Sequence, residues 1–201
     1  MKRRALVIDL TQDIDAIYNS FSKSCRYHIR KSSKLGVTIS QTSNPNEFAD
    51  NYFSQLNDVF KKQNLRPTYN KKRVVELIKA VYPTGNLLLL EARNKEGICI
   101  ATGIFTGSNK LAIAWGTASY RNFQHLSPNE ALRFEAIKYW RAKGFDLFEM
   151  GGGADYKQKF RPQEHFCVKI IASKFEFLTK GKAVFKKAYY KSRKLISTIR
   201  V

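Results

Sequence analysis

The sequence predicts an α/β domain: one mixed, mostly antiparallel central sheet flanked by helices. Three observations carry that expectation. Residues 86–93, 98–105 and 111–120 are apolar, β-prone runs joined by tight connections at 94–97 and 107–109, the pattern of an antiparallel meander. Residues 110–161 then read strand, polar loop, helix, strand and glycine-rich loop, and strand–helix–strand with short links makes a right-handed parallel crossover. A chain of 201 residues with 43% hydrophobic content, lacking an internal repeat, low-complexity tract or linker, is expected to bury one core as a single domain over 1–201.

The elements follow in order. Residues 1–36 form a mainly helical lead-in: a short apolar segment at 5–10, then Thr11 as an expected N-cap with Asp13 and Asp15 in the first helical turn. That helix turns Ile14, Ile17, Tyr18 and Phe21 inward. The next is basic, with Arg26, Arg30 and Lys34 at i+4 steps, and ends at Gly36 before a strand at 37–40. Two packing helices follow, one from Asn44-Pro45 to about residue 62 and one from about 70 to 82, stopped by Pro83. After the meander, Ser127, Pro128 and Glu130 spell an S-x-x-E capping box with proline at the first helical position. Leu132, Ala136, Tyr139 and Trp140 make one apolar stripe of that helix, and Gly144 supplies a left-handed stop. A short strand at 145–150, a loop at 151–162, a last strand at about 166–177 and a basic helix at 179–201 complete the chain.

Charge narrows the partners. Lys+Arg 36 against Asp+Glu 16 leaves +20, far more than solubility needs, so an anionic partner is expected: cofactor phosphates, RNA or an acidic membrane surface. Residues 151–201 alone hold 13 Lys/Arg against 3 Asp/Glu. Cys25, Cys99 and Cys167 share no metal or C-x-x-C spacing and read as reduced cytosolic thiols. His28, His125 and His165 are scattered, so no metal is expected. The apolar run behind the basic first residues is too short for a signal peptide or span, and the expectation is a cytoplasmic protein, peripheral at the inner membrane surface if the basic helix meets lipid.

Strand, helix, helix, three antiparallel strands, helix, strand, loop, strand is the element order of the GNAT N-acyltransferase fold. Two segments sharpen the resemblance. CRYHIRKSSKLGVTI is similar to the R-x-x-I-R-K-A-x-K-x-G-V segment of FemABX-like aminoacyl and acyl transferases. SPNEALRFEAIKYWRAKGFDLFEMGGG, with Phe160 and a base behind it, resembles the later helix, strand and Phe-Lys pattern of the same group. Arg161 stands where that group has lysine, and Glu149 where it has aspartate. Members usually carry two such domains, and this chain resembles the second. The resemblance implies a GNAT-like sheet and transfer of an acyl group from acyl-CoA or aminoacyl-tRNA to an amine, a peptidoglycan precursor being one such acceptor. The partners it implies are CoA, tRNA or nucleotide-sugar phosphates. Residues 119–127 lack the R-x-x-G-x-G/A turn of ordinary acetyl-CoA enzymes, so the loop itself does not argue for acetyl-CoA.

Acyl transfer to an amine needs a carbonyl held near a neutral amine and a preplaced cation or donor for the developing oxyanion. Arg161 is the candidate cation, and Glu149 or Asp155 the candidate proton acceptor. The groove is expected between the strand ends at Tyr120 and Met150, floored by Gly151, Gly152 and Gly153, which let a substrate approach the backbone. Lys157, Lys159, Arg121 and the helix terminus at Asn129 are placed for phosphates. Through the resemblance, Arg26, Arg30 and Lys31 form a groove wall and Phe160 joins the binding set. The competing reading is a basic RNA-binding or membrane-surface module without catalysis, although no RNA-binding motif is present.

Overall fold

The computed structural model describes residues 2–62, 64–152 and 155–168. Arg4–Cys167 form one compact unit, and the fold below is that unit; residues 1–3 with 168–201 belong to a second, most of which lies outside the described residues. The expected helix at 179–201 and the far end of the last strand therefore also lie outside them.

The sheet has seven strands in the order β2-β3-β4-β5-β6-β1-β7. In chain order the elements are β1 (Lys2–Asp9), α1 (Ile14–Ser20), α2 (Lys23–Lys34), β2 (Thr38–Gln41), α3 (Pro45–Lys62), α4 (Lys71–Val81), β3 (Leu87–Arg93), β4 (Cys99–Ser108) and β5 (Leu111–Ser119). A 3-10 helix (Arg121–Leu126) leads to α5 (Pro128–Ala142) and β6 (Leu147–Glu149). A further 3-10 helix (Asp155–Phe160) precedes β7 (Gln163–Val168), and a short one (Tyr82–Thr84) follows α4. The β3–β4–β5 meander is antiparallel, as its two short connections require. Strands β5 and β6 run parallel, joined through α5 as a crossover.

Both faces of the sheet are covered, which is why LLLL in β3 is apolar at every position. Leu88 and Leu90 enter a core with Leu6, Ile8, Phe21, Phe105, Leu132, Trp140 and Phe148 under α1, α2 and α5. Leu87 and Leu89 enter another with Phe48, Tyr52, Val74 and Ile78 under α3 and α4. The stripe on α5 is buried as its spacing predicts, with Leu132, Ala136 and Trp140 all at 0% exposure. Gly144 has φ 73 and ends the helix as expected.

Four local expectations change. The first apolar segment is a full strand pairing antiparallel with β6, so the lead-in begins inside the sheet. Thr11 does not cap α1: its N–H and hydroxyl donate to Asp9 Oδ1 at 2.9 and 2.7 Å, and Asp13 holds the cap position without a side-chain cap bond. Ser127 does not complete a capping box either. Its φ is 56 and its hydroxyl meets His28 Nδ1 at 2.8 Å, so a tertiary partner on α2 displaces the local bond. The last strand begins at Gln163, before the expected 166, directly after a 3-10 helix at Asp155–Phe160 where the sequence predicts a loop.

Candidate active site

Strand β5 outruns β6. The parallel ladder pairs Leu111, Ala112 and Ile113 with Leu147, Phe148 and Glu149, and β6 then stops. Gly151 turns the chain at φ 66 so close to β5 that a Cβ there would lie 2.1 Å from the Ala114 carbonyl oxygen, a contact only glycine avoids. Residues 115–119 of β5 thus continue without a β6 neighbour, and the gap between them and the 3-10 helix that follows Gly151, bridged by Arg133, is the candidate cleft.

A β-bulge decides which side chains face that cleft. On β4, Ile104 pairs with Gly116 and Phe105 with Ala114, leaving Trp115 as the extra residue of β5. Side chains on a strand alternate, so one inserted residue exchanges the faces of all that follow. Ala112 and Ala114 enter the α5-side core; without the bulge Gly116 and Ala118 would follow them, but Ala118 lies under α3 and α4. Thr117 and Ser119 are turned toward α5 in its place.

There they meet two polar residues of α5 one helical turn apart. Asn129 Nδ2 donates to Ser119 Oγ at 3.0 Å. Arg133 Nη2 donates to Thr117 Oγ1 at 3.0 Å and to the Tyr156 hydroxyl at 2.8 Å, with the guanidinium carbon 5.2 Å from the Tyr156 ring centroid. Arg133 therefore spans the cleft from β5 to the 3-10 helix while only 3% exposed. Among the described residues, its Nε and the Oδ1 of Asn129 are buried without a hydrogen-bond partner. Burial lowers the guanidinium's pKa from its ordinary value, and the neighbouring Tyr156 and Glu130 oppose that shift. A desolvated cation held by neutral hydroxyls is stabilised when an anion or a carbonyl gaining negative charge comes near it.

The expected site residues divide. Asn129 and Gly151 line the cleft, Gly152 accepts at 3.2 Å from the buried Lys157 Nζ, and Lys159 pairs with Glu130 at the foot of α5. Gly153 lies outside the described residues. Asp155 and Arg161 are exposed, one at the start of the six-residue 3-10 helix and one just past its end, which at ~2 Å rise per residue separates their backbones by about 12 Å. Glu149 faces away from the α5-side core that Phe148 and Met150 enter, so these three candidates do not converge.

The other candidates hold positions elsewhere in the fold. Phe160 is 1% exposed and packs 5.2 Å from the ring of Phe21, so it is core and not a substrate contact. Arg26 donates to the carbonyls of Asn19 (2.7 Å) and Phe21, fastening the α1–α2 turn; Arg30 reaches the Tyr18 hydroxyl at 3.4 Å; Lys31 is half-buried near the end of α2. The Tyr120 hydroxyl donates to Ser54 Oγ at 2.9 Å and the Arg121 N–H to Asp58 Oδ2 at 2.9 Å, tying the end of β5 to α3. Sequence reasoning missed Arg133, Thr117 and Tyr156. The available signal was an arginine four residues after Asn129, on the flank of the buried stripe of α5.

Burial pushes the thiols of Cys25 and Cys99 up to about 12 and about 11, so neither offers a thiolate near neutral pH. Among the described residues no group of His, Cys, Asp and Glu is arranged to hold a metal ion. No described helix is long and apolar enough to cross a membrane.

Residues 19–158, most of the chain, match the family described as the acetyltransferase (GNAT) domain, and the chain belongs to that family. Its class is therefore that of an N-acyltransferase domain with a FemABX-like form of the fold. No curated protein sequence matches the chain. The solved structure of FemX superposes with a TM-score of 0.68 at 13% identity, over 89% of this chain and 57% of that one. The C-terminal domain of a putative lysylphosphatidylglycerol synthetase from Agrobacterium fabrum gives 0.61 at 13% identity, over 82% and 59%. L-PGS from Bacillus licheniformis gives 0.56 at 10% identity, over 82% and 60%. The chain thus spans less than two thirds of each of these neighbours.

Proposed function

We propose that this domain transfers an acyl or aminoacyl group from an activated ester or thioester to an amine, with the reacting carbonyl seated where β5 outruns β6. The observation supporting this reading is the buried Arg133, held across the cleft by Thr117 and Tyr156 with Nε unpartnered among the described residues. The amine attacks the carbonyl carbon, and the carbonyl oxygen gains negative charge that the guanidinium offsets without first having to be desolvated. The carrier's C–O or C–S bond then breaks, and the carrier leaves as an alcohol or thiol with a proton from the amine. Arg161, exposed where the 3-10 helix ends, takes an anionic part of the donor on the rim.

The donor we propose is aminoacyl-tRNA. Ser127 and Pro128 at the start of α5 are buried, which narrows the room for a CoA pyrophosphate at that helix end, and a net charge of +20 suits a polyanion. An amino group on a peptidoglycan precursor is the first acceptor to try. One structural neighbour is described as a putative lysylphosphatidylglycerol synthetase, so vesicles with and without phosphatidylglycerol belong in the same assay.

The test offers aminoacyl-tRNA and acyl-CoA side by side to the protein and its Arg133→Lys, Arg161→Ala and Arg161→Lys variants, with thermal melts of each. Arg133→Lys is expected to lower turnover on the order of a hundredfold while remaining folded. Arg161→Ala is expected to lose activity with little change in melting, and Arg161→Lys to retain much of it. A folded Arg133→Lys variant with full activity would remove the cleft from the mechanism, and turnover with acyl-CoA alone would overturn the donor.

A further inference from the structure

The outward side of α2 carries a line of cations. Lys23, Tyr27, Arg30 and Lys34 follow one another at i+4, i+3 and i+4 steps, so they form a single ridge about 16 Å long. All four are exposed, Tyr27 at 55%, and Lys31 flanks them half-buried; Cys25 and Ser32, on the opposite side of the helix, are at 0% exposure. We propose that this ridge, together with the β3–β4 turn beside its end, is a docking surface for an anionic lipid bilayer. The surface stands independently of the transfer reading above.

Charge is the first argument. No aspartate or glutamate occurs between Asp15 and Glu47. Among the described residues Lys23, Arg30, Lys31 and Lys34 pair with no carboxylate, whereas bases on neighbouring elements do: Arg93 with Glu91 at 2.7 Å, Arg141 with Asp13 at 3.0 Å, and Lys159 with Glu130. Lys95, in the β3–β4 turn, extends the patch, since its side chain lies over Gly36 so closely that a Cβ there would meet Lys95 Cγ at 2.4 Å. Glu96 is the acidic residue of that turn. Like charges along one ridge repel in solution, and a plane of negative charge relieves them.

The apolar tips decide between polyanions. Leu35 at the end of α2 is 37% exposed and Ile98 just after the turn 48%, and with Tyr27 they put aliphatic and aromatic surface among the bases. At a bilayer the aliphatic tips enter the acyl boundary, the tyrosine ring sits at headgroup level, and the lysine stems carry their charge to the phosphates. A nucleic acid would use the cations but gives Leu35 and Ile98 nothing to enter, and the ridge offers one aromatic ring where base stacking uses several. The seat is also preformed. Ser22 Oγ accepts from the Cys25 N–H at 3.1 Å as the cap of α2, the Ser22 N–H donates to the Lys159 carbonyl at 2.9 Å, and His28 meets Ser127 at the start of α5. A helix fixed in this way binds without first having to be ordered.

Sedimentation with vesicles tests the surface without turnover. The vesicles are phosphatidylcholine alone, or phosphatidylcholine mixed with phosphatidic acid, which has no amino group to accept an acyl chain. Binding is expected to the mixed vesicles only, and to weaken as salt rises. The combined Lys23→Gln, Arg30→Gln and Lys34→Gln variant is expected to bind on the order of a hundredfold more weakly, about fivefold per base, without loss of melting temperature. A control with Lys61→Gln, Lys72→Gln and Lys79→Gln removes the same charge from α3 and α4, on the other face of the sheet, and is expected to bind as the parent does. The combined Tyr27→Ser and Ile98→Ser variant is expected to bind the mixed vesicles more weakly with its salt dependence intact. Equal binding by the parent and the α2 variant, equal losses in that variant and the control, or equal binding to both kinds of vesicle overturns the surface. So does an α2 variant that keeps its vesicle binding but loses affinity for transfer RNA, which would assign the ridge to nucleic acid.

Discussion

Gly151 carries more of the site than its size suggests. It combines a positive φ with a backbone approach that leaves no room for a methyl group beside the Ala114 carbonyl, and it is the residue at which β6 lets go of β5. Gly151→Ala adds both strain and a clash, and the expected cost is about 2 kcal/mol or more. Activity should fall further than stability, because the turn sets the distance from Tyr156 to Thr117 across which Arg133 is stretched; melts and rates of the variant measure the two effects separately. Cys25 and Cys99 give a pH-dependent reading at the same scale. Burial holds both folded thiols above the ordinary thiol value of about 9, so unfolded thiols ionise first. Their contribution to stability is complete below about pH 9 and is lost as pH rises through about 11 to 12. Melting temperature should decline over that window, and less steeply in a Cys25→Ala variant referred to its own value at pH 8.

Helix α5 joins the core to the proposed site. One side buries Leu132, Ala136 and Trp140, and the residues beside that stripe, Asn129 and Arg133, face the cleft. Trp140 lies 4.5 Å from the ring of Phe145 and closes the end of the core where β6 begins. Trp140→Ala is expected to cost about 3–5 kcal/mol, read from denaturant unfolding. Its indole N–H has no partner among the described residues, so Trp140→Phe should recover most of that loss. The helix start shows how a local signal can be outweighed. The S-x-x-E spacing favours a cap, but Ser127 bonds to His28 on α2 and Glu130 to Lys159 beyond β6, so both members of the motif serve tertiary contacts.

For the molecule as a whole, electrostatics sets the partner class. A chain with a net charge of +20 attracts polyanions over distances that salt shortens, and transfer from aminoacyl-tRNA should show a KM that rises steeply between 50 and 200 mM salt. A small acyl donor would show a much weaker dependence, and a flat profile would count against the tRNA reading. The two faces of the sheet are covered by different helices: α1, α2 and α5 pack on one, and α3 and α4 on the other.

The sequence by itself determined the meander, the crossover, the limits and buried stripe of α5 and the glycine turn after β6. Each rests on local periodicity or on a residue whose backbone preference is intrinsic. It also marked Asn129 and Gly151, which the structure places beside Ser119 and Ala114 of β5, because a helix start and a glycine after a strand are positions that local rules mark. Only the tertiary structure decided the rest. Phe160 went to the core because Phe21 lay within reach, and Glu149 faced away from Arg133 because strand alternation sent it to the other side of the sheet. Thr117 and Ser119 reached α5 through the bulge at Trp115, a pairing register between distant strands that no local spacing encodes. Arg133 came to bridge β5 and the 3-10 helix for the same reason. Its meaning depends on burial and on hydroxyls 16 and 23 residues away in the chain, and both exist only once β5, α5 and the 3-10 helix have been packed together.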